Sequence, residues 1–345
     1  MTNYKESGVD VELGDRCSKA AYEAAKGTFA GRTNKKVGRA VVDEGGFAGL
    51  LDMGDFYLVQ NDDGVGTKIE VAEKMRKFDT LGYDLVAMVA DDAICLGAEV
   101  VSVTNTLDAP GLDEEMVKGL MGGLQKAALE QQIVVPGGEL AELGRVLNGA
   151  VWNATAVGIV AKDRVIRGDD IVVGDAILGL RSDGIRSNGL SLARMILSKA
   201  YGENWVNEPF KNGESWGEAI LRPSKIYHRA LLNILGDYEN PKEHGVKGLV
   251  HNTGGGIRGN LPRLLKKKGL GAKLDALPEP HDFMLKMMEL GGVAVDEAYK
   301  TWNMGVGMMM VMEAGQEDGM LKALEGEGVS AQVIGYVTGG TEIEF

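Results

Sequence analysis

Short β-rich runs and longer segments of helical spacing alternate along this chain, punctuated by glycine. Residues 15–26 carry helical spacing, 56–60 (FYLVQ) form a β-rich run, and helical charge spacing follows over 68–77. A mostly apolar helix is predicted over 81–96, a Val-rich strand over 99–103 and an amphipathic helix over 116–131. An apolar strand over 133–135 ends in Pro136-Gly137-Gly138, and another strand spans 151–160. The chain turns polar at Arg167-Gly168-Asp169-Asp170, which places the expected domain division between 1–168 and 169–345. The second half alternates again, with strands at 175–180, 248–250, 306–311 and 331–337 and helices at 190–201, 216–235, 259–268 and 316–325. The pattern is α/β or α+β, and periodicity alone leaves the topology open. No solenoid-type repeat is visible.

Length fits this division, since 345 residues suit two domains of about 150–200 residues each. Fifty glycines are roughly twice the usual share of about 7% and gather in short runs, as loops that wrap ligands require. The net charge of −13 and pI near 4.9 exclude a polyanion-binding surface unless a basic stripe is segregated, and none is seen. Small phosphorylated substrates remain compatible, because a divalent cation held by carboxylates reverses the local sign. Two cysteines, Cys17 and Cys95, are too few for a structural zinc site or a disulfide scaffold. MTNYKESGVD lacks the basic and apolar regions of a signal peptide, and no apolar run approaches the roughly 20 residues of a bilayer span. A cytoplasmic protein with no membrane or nucleic-acid partner is expected.

The strongest local signal is Asp63-Gly64-Val65-Gly66-Thr67-Lys68, between a β-rich run and a helix. Glycines let amides approach phosphate, the helix N-terminus favours an anion, Lys68 adds a point charge, and Asp63 can hold Mg²⁺. A tight turn with a helix cap reads equally well. It is not a Walker A loop, because Thr precedes Lys. Asp91 and Asp92 interrupt the apolar run LVAMVADDAICLGA; adjacent helical residues point about 100° apart, so one of them is expected to face a site. A helix whose polar edge surfaces there is the alternative. Glu139 follows two glycines beyond an apolar strand, where α/β sheets bind ligands; a charge at a helix N-terminus is its bland reading. Asp63, Asp92 and Glu139 together would make a carboxylate set of the kind that chelates Mg²⁺. In the second half, residues 182–189 (SDGIRSNG) and 251–256 (HNTGGG) each run strand, polar glycine loop, helix. Ser187 and Asn188, or Gly254 and Gly255, can bind phosphate through amides and the helix dipole. A lone His251 is more often structural than catalytic. Asn303 to Gly307 reads as a turn before a core strand, and Met308 to Met310 as core filler.

In this order, the motifs resemble the phosphoribosylformylglycinamidine cyclo-ligase family over nearly the whole chain. The likeness rests on residues 4–10 (YKESGVD), 45–49 (GGFAG), Asp63 to Lys68, 79–88 (DTLGYDLVAM), 137–139 (GGE), 187–189 (SNG), 223–227 (PSKIY), 253–256 (TGGG) and 299–307 (YKTWNMGVG). The resemblance implies an N-terminal α/β domain whose strands form a barrel across a homodimer, and a C-terminal ferredoxin-like α+β domain. It implies ATP in the cleft between them. The formyl amide oxygen of formylglycinamidine ribonucleotide would be phosphorylated and then displaced as the ring closes. Carried onto this sequence, Lys68, Asp92 and His251 are the candidate catalytic residues. Gly64 to Lys68, Ser187, Asn188, Gly254 and Gly255 would bind nucleotide, and Asp63, Asp92 and Glu139 would bind metal. Such chemistry asks for charge stabilisation rather than a covalent nucleophile.

Three positions differ from the family pattern. Asp62 stands where Thr is usual, residues 140–144 (LAELG) replace Thr-Ala-Glu-Met-Pro, and Arg186 replaces a His. Arg stays charged and cannot act as an ordinary general base. A divergent member of the same superfamily, acting on another small substrate, is the nearest alternative; its relatives include selenophosphate synthetase, thiamine-monophosphate kinase and a hydrogenase maturation protein. Selenophosphate synthetase normally needs a Cys or selenocysteine in its N-terminal glycine loop, and neither cysteine here occupies one. A non-catalytic paralogue would be favoured by loss of Asp63, Lys68 or Glu139, all of which are present. A dinucleotide-binding dehydrogenase is disfavoured by the lack of G-x-G-x-x-G after a first strand.

Overall fold

The computed structural model describes residues 5–42 and 46–345. Tyr4 of the first motif and Gly45 of the second lie outside the described residues. The first sheet comprises β1 (Arg39–Val41), β2 (Gly49–Asp52), β3 (Phe56–Gly64), β4 (Glu99–Ala109), β5 (Gly138–Glu142) and β6 (Val151–Ala161), in the order β1-β2-β3-β6-β4-β5. Only the β4–β5 pair is parallel, and helix α4 (Glu114–Gln131) makes its crossover. Helix α1 (Val11–Lys26) precedes the sheet, capped by the Asp10 carboxylate, which accepts from the Leu13 amide. Its start at Val11 is earlier than apolar spacing suggests.

Helices α2 (Lys68–Met75) and α3 (Leu81–Ile94) follow β3, and α3 lies between the sheet and α4. Two glycines let α3 and α4 touch backbone to backbone. A methyl at Gly82 would sit 2.1 Å from the Gly123 carbonyl carbon, and one at Gly123 would sit 2.3 Å from the Asp79 oxygen.

The second sheet comprises β7 (Ala176–Arg181), β10 (Val246–His251), β11 (Leu270–Lys273), β12 (Val306–Met312), β13 (Ala331–Gly339) and β14 (Ile343–Glu344), ordered β10-β12-β7-β13-β11-β14. A small hairpin, β8 (Pro209–Lys211) with β9 (Glu214–Ser215), lies outside it. Helices α5 (Leu190–Tyr201), α6 (Trp216–Leu221), α7 (His228–Leu235), α8 (Gly256–Leu265), α9 (Asp282–Gly291), α10 (Val295–Thr301) and α11 (Glu317–Gly326) complete the half. Both faces of this sheet are covered, so β12 is buried throughout: Met308, Met310 and Met312 enter one apolar cluster, while Met309 and Val311 enter the other. That alternation is the period-two geometry of a strand.

The α/β and α+β organisation matches expectation. Among the described residues of one chain the first sheet ends in β1 and β5 and does not close on itself, and the expected barrel is one built across two copies. The predicted helix over 216–235 is two helices, because Pro223 lacks an amide donor and forces Arg222 into an extended conformation (φ −48°, ψ 127°). The predicted strand at 133–135 contributes only an isolated bridge from Val134 to Ser102, and pairing with β4 resumes at Gly138. Leu190, Leu197, Trp216, Phe283 and Trp302, all from the second half, belong to the same apolar cluster as α3 and the first sheet.

The glycine contact yields a direct expectation. Gly82→Ala should lower stability by about 1–3 kcal/mol through overpacking, read as a shift in the urea midpoint; an unchanged midpoint would mean that α3 and α4 are not in backbone contact.

Candidate functional site

Strand β3 delivers Asp63 and Gly64 to the edge of the interface between the halves. Gly64 cannot be replaced without displacement, since a methyl there would meet Asn153 Oδ1 at 2.0 Å and the Trp152 oxygen at 2.7 Å. The Gly64 amide donates to Asp63 Oδ1 at 2.7 Å, and the Val65 amide donates to the Trp152 oxygen at 3.2 Å. Both are thereby used, which removes Gly64 and Val65 from the expected phosphate cradle. The amides of Gly66 and Thr67 have no partner among the described residues. A methyl at Gly66 would lie 3.2 Å from the Ser187 oxygen, so this loop faces the 182–189 loop. Arg194 reinforces the contact by donating to the Thr67 oxygen at 3.4 Å.

Lys68 departs from its expected role. Its side chain is fully buried, with Nζ 2.8 Å from Asp84 Oδ1 and 2.7 Å from the Arg222 oxygen. Ser224 Oγ donates to the same Asp84 oxygen. Burial pushes the Lys68 ammonium down, with the Asp84 charge opposing. Lys68 therefore ties α2 and α3 to the 222–224 turn rather than offering a charge to phosphate.

Asp91 repeats this arrangement two helical turns along α3. Its Oδ1 accepts from the amides of Tyr227 (2.8 Å) and His228 (3.1 Å), and its Oδ2 accepts from Arg186 Nη2 at 2.8 Å. Arg186 also donates to the Lys225 oxygen at 2.7 Å, lies over the Tyr227 ring, and is 1% exposed. Its other contact is His251 Nε2, 2.7 Å from Nη2. The second ring nitrogen, Nδ1, lies 2.7 Å from Asp92 Oδ1. His251 is wholly buried, and burial followed by the Arg186 charge pushes it down to about 3. With both nitrogens engaged and no access to solvent, it is a fixed partner of Asp92, in line with the structural reading of a lone His and unlike the catalytic role the resemblance implies.

Asp92 keeps 15% of its side-chain surface open. Burial pushes its carboxyl up to about 7, with Arg263 and Arg186 opposing. Asp63 is pushed up to about 6, mainly by burial, and the Asp92 charge adds to the rise. The two carboxyls are thus electrostatic neighbours. Glu139 is not with them. It sits exposed on β5, three strands from β3, which at about 4.8 Å per strand is about 14 Å away. Among the described residues no group of three or more His, Cys, Asp or Glu side chains is placed to hold a metal ion. Within one chain Glu139 therefore lies apart from Asp63 and Asp92, and the three carboxylates do not come together.

Two further loops close around this pair. In the 253–256 turn, Asn260 Nδ2 donates to the Gly254 and Gly256 oxygens at 3.1 and 2.9 Å, while the Thr253, Gly254 and Gly255 amides have no partner among the described residues. Asn188 Nδ2 lies 3.7 Å from where a methyl at Gly254 would be. Ser187 Oγ and Asn188 Oδ1 are buried without a partner. Asn303, read from sequence as part of a turn, anchors the 182–189 loop: its Oδ1 accepts from Ser182 Oγ at 2.9 Å and its Nδ2 donates to the Gly184 oxygen at 2.9 Å. The assembled site offers free amides and unpaired polar side chains on three loops, facing two carboxyls that burial pushes up. Such a surface suits a phosphorylated ligand with a hard cation.

The sequence reading missed Asp84, Ser224 and the structural use of Asp91. A signal was present: Asp84 and Asp91 are seven residues apart in an apolar helix, hence on one face.

Family models add the decisive comparison. The N-terminal domain of AIR synthase related proteins matches residues 45–160, and the C-terminal domain matches 172–345. The chain belongs to this family. Named phosphoribosylformylglycinamidine cyclo-ligases are among its relatives: one from Thermococcus kodakarensis is 40% identical over 94% of this chain and 92% of its own length, and one from Methanocaldococcus jannaschii is 37% identical over 99% and 94%. The fold is shared with the solved structure of AaThiL complexed with AMPPCP and TMP, at 15% identity, a TM-score of 0.62 and 88% coverage of each chain.

The Lys68–Asp84 pair generates a stability test. Lys68→Met alone should cost about 3–5 kcal/mol, because it leaves the Asp84 charge buried and uncompensated. Lys68→Met with Asp84→Leu should recover much of that loss. Urea midpoints followed by tryptophan fluorescence decide it, and a single variant as stable as the parent would mean that the pair is not buried.

Proposed function

We propose that this chain uses ATP to close the imidazole ring of formylglycinamidine ribonucleotide, giving aminoimidazole ribonucleotide, ADP and phosphate in purine biosynthesis. The observation that carries the reading is the convergence of the 63–68, 186–189 and 253–256 loops, with unused amides, around Asp63 and Asp92 in a chain of the cyclo-ligase family. Near-full-length relatives of that name support the reaction.

In the first step the formyl amide oxygen takes the γ-phosphoryl group and the bond to ADP breaks. The amidine-side nitrogen then attacks the activated carbon, a C–N bond forms, the C–O bond breaks, phosphate leaves, and the nitrogen loses its proton. Amides of Gly66, Thr67, Gly254 and Gly255 would receive phosphate oxygens, and Ser187 and Asn188 would orient ligand groups. Donors fixed before reaction stabilise charge as it moves onto the transferred phosphoryl. Asp63 and Asp92 fit Mg²⁺, whose remaining ligands would be water and phosphate oxygens. Bound there, Mg²⁺ would supply neutralisation of the β- and γ-phosphate charge.

We further infer two units, 1–168 and 169–345, with nucleotide between them, and a homodimer formed through the open side of the first sheet. Exposed Val101, Leu140 and Val151 on its strands support the latter. A cytoplasmic setting is supported by two free cysteines, Cys17 and Cys95. No helix among the described residues is long and apolar enough to cross a membrane.

Coupled measurement of ADP release with Mg-ATP tests the reaction. ADP should appear only with formylglycinamidine ribonucleotide and match aminoimidazole ribonucleotide one to one, whereas nucleotide binding without turnover would assign the site to another small substrate. Asp92→Asn should lower kcat by about 10²-fold or more with the circular dichroism spectrum retained. Because the folded chain holds the Asp63 and Asp92 protons up to about pH 6 and 7, a cation must displace them at lower pH. The Mg²⁺-induced rise in Tm should therefore grow between about pH 5 and about pH 8; a flat profile would remove both carboxyls from the cation site.

A further inference from the structure

Arg186 lies inside the molecule, at the junction of the three loops, and its chemistry is one-sided. A guanidinium donates hydrogen bonds and accepts none. Its Nη2 lies 2.7 Å from His251 Nε2, so that nitrogen must present a lone pair. The single proton of the neutral ring is then on Nδ1, which lies 2.7 Å from Asp92 Oδ1 and donates to it. The opposite tautomer would set an N–H against an N–H on one side of the ring. Arg186 itself is fixed by Asp91 at 2.8 Å, by the Lys225 oxygen at 2.7 Å and by the Tyr227 ring. It also adopts a left-handed backbone conformation, φ +63°, which non-glycine residues avoid and which persists only where surroundings enforce it.

We propose that Arg186 is a positioning residue that locks His251 in the Nδ1–H tautomer and through it fixes the rotamer of the Asp92 carboxylate. One Asp92 oxygen is held by the ring, and the other is left to face the ligand. The lock is a property of the folded chain, while its effect on turnover rests on the function proposed above. This gives the Arg in the SDGIRSNG loop a role distinct from acid–base chemistry: it sets which nitrogen of a buried imidazole carries the proton.

The test is ring-¹⁵N NMR of the full chain labelled at histidine, where only four histidines contribute and His251→Asn assigns the signal. The parent chain should show His251 with a protonated Nδ1 and a bare Nε2. Asp92→Ala should leave that pattern intact, because Arg186 alone dictates it; a protonated Nε2 in either protein overturns the proposal. Arg186→Gln, whose carboxamide accepts as well as donates, should release the tautomer to a mixture and lower Mg-ATP-dependent turnover about 10–100-fold. Arg186→Lys, a donor that still pairs with Asp91, should keep the tautomer and most of the turnover. If Arg186→Gln retains both the parent tautomer and the parent rate, Arg186 does not position Asp92. A locked tautomer in a chain silent toward formylglycinamidine ribonucleotide would uphold the lock and overturn only the assigned reaction.

Discussion

Everything in the site hangs from two buried carboxylates on one face of α3. Removing a carboxylate from water costs several kcal/mol, and only close partners offset that cost. Asp84 finds Lys68 and Ser224; Asp91 finds Arg186 and two backbone amides of the 227–228 segment. Neither charge tolerates a shift of the second half along α3, because any slip would leave it buried and unpaired. Apolar contacts between the same elements are permissive about register, whereas these bonds are not. The helix thus acts as a ruler on which the second half is aligned, and the loops that follow inherit that alignment.

The glycine loops divide into parts used by the fold and parts left over. In the first loop, the Gly64 and Val65 amides and the Lys68 ammonium are consumed internally, while the Gly66 and Thr67 amides are not. In the 251–256 segment, His251 and Asn252 bond inward, and Thr253 to Gly255 present unpaired donors. The rigid member of each loop fixes the position of the available one. Such pre-organisation lowers the reorganisation needed when charge develops on a bound phosphoryl group.

Much of this was legible in the sequence, for definite reasons. Strands β3, β6, β7 and β12 and helices α3, α4, α5 and α11 announce themselves through apolar period, and the three glycine loops through composition. Elements with weak or short patterns, such as β1, β2, β11 and β14, were not visible, since two to four residues carry too little periodicity to separate from a loop. Roles were harder than places. Lys68 looks like a phosphate ligand by spacing, yet its pairing depends on Asp84 sixteen residues on and on a carbonyl at Arg222. Glu139 appears in the right kind of loop, but strand order, which periodicity does not encode, sends β5 to the far edge. Arg186 looked like the loss of a base until its neighbours were known.

Strand β12 has a chemical consequence of its own. Met308, Met309 and Met310 are consecutive on β12, an inner strand of the second sheet, with no exposed surface. A thioether sulfur can take up oxygen only when an oxidant reaches it, and the sulfoxide is too polar to be repacked in an apolar layer. In the folded chain these sulfurs are therefore shielded, and each excursion that opens the sheet exposes three of them together. Sulfoxides formed at β12 would oppose re-closure of the sheet until they are reduced, so the burial of these sulfurs also guards the packing of the second half.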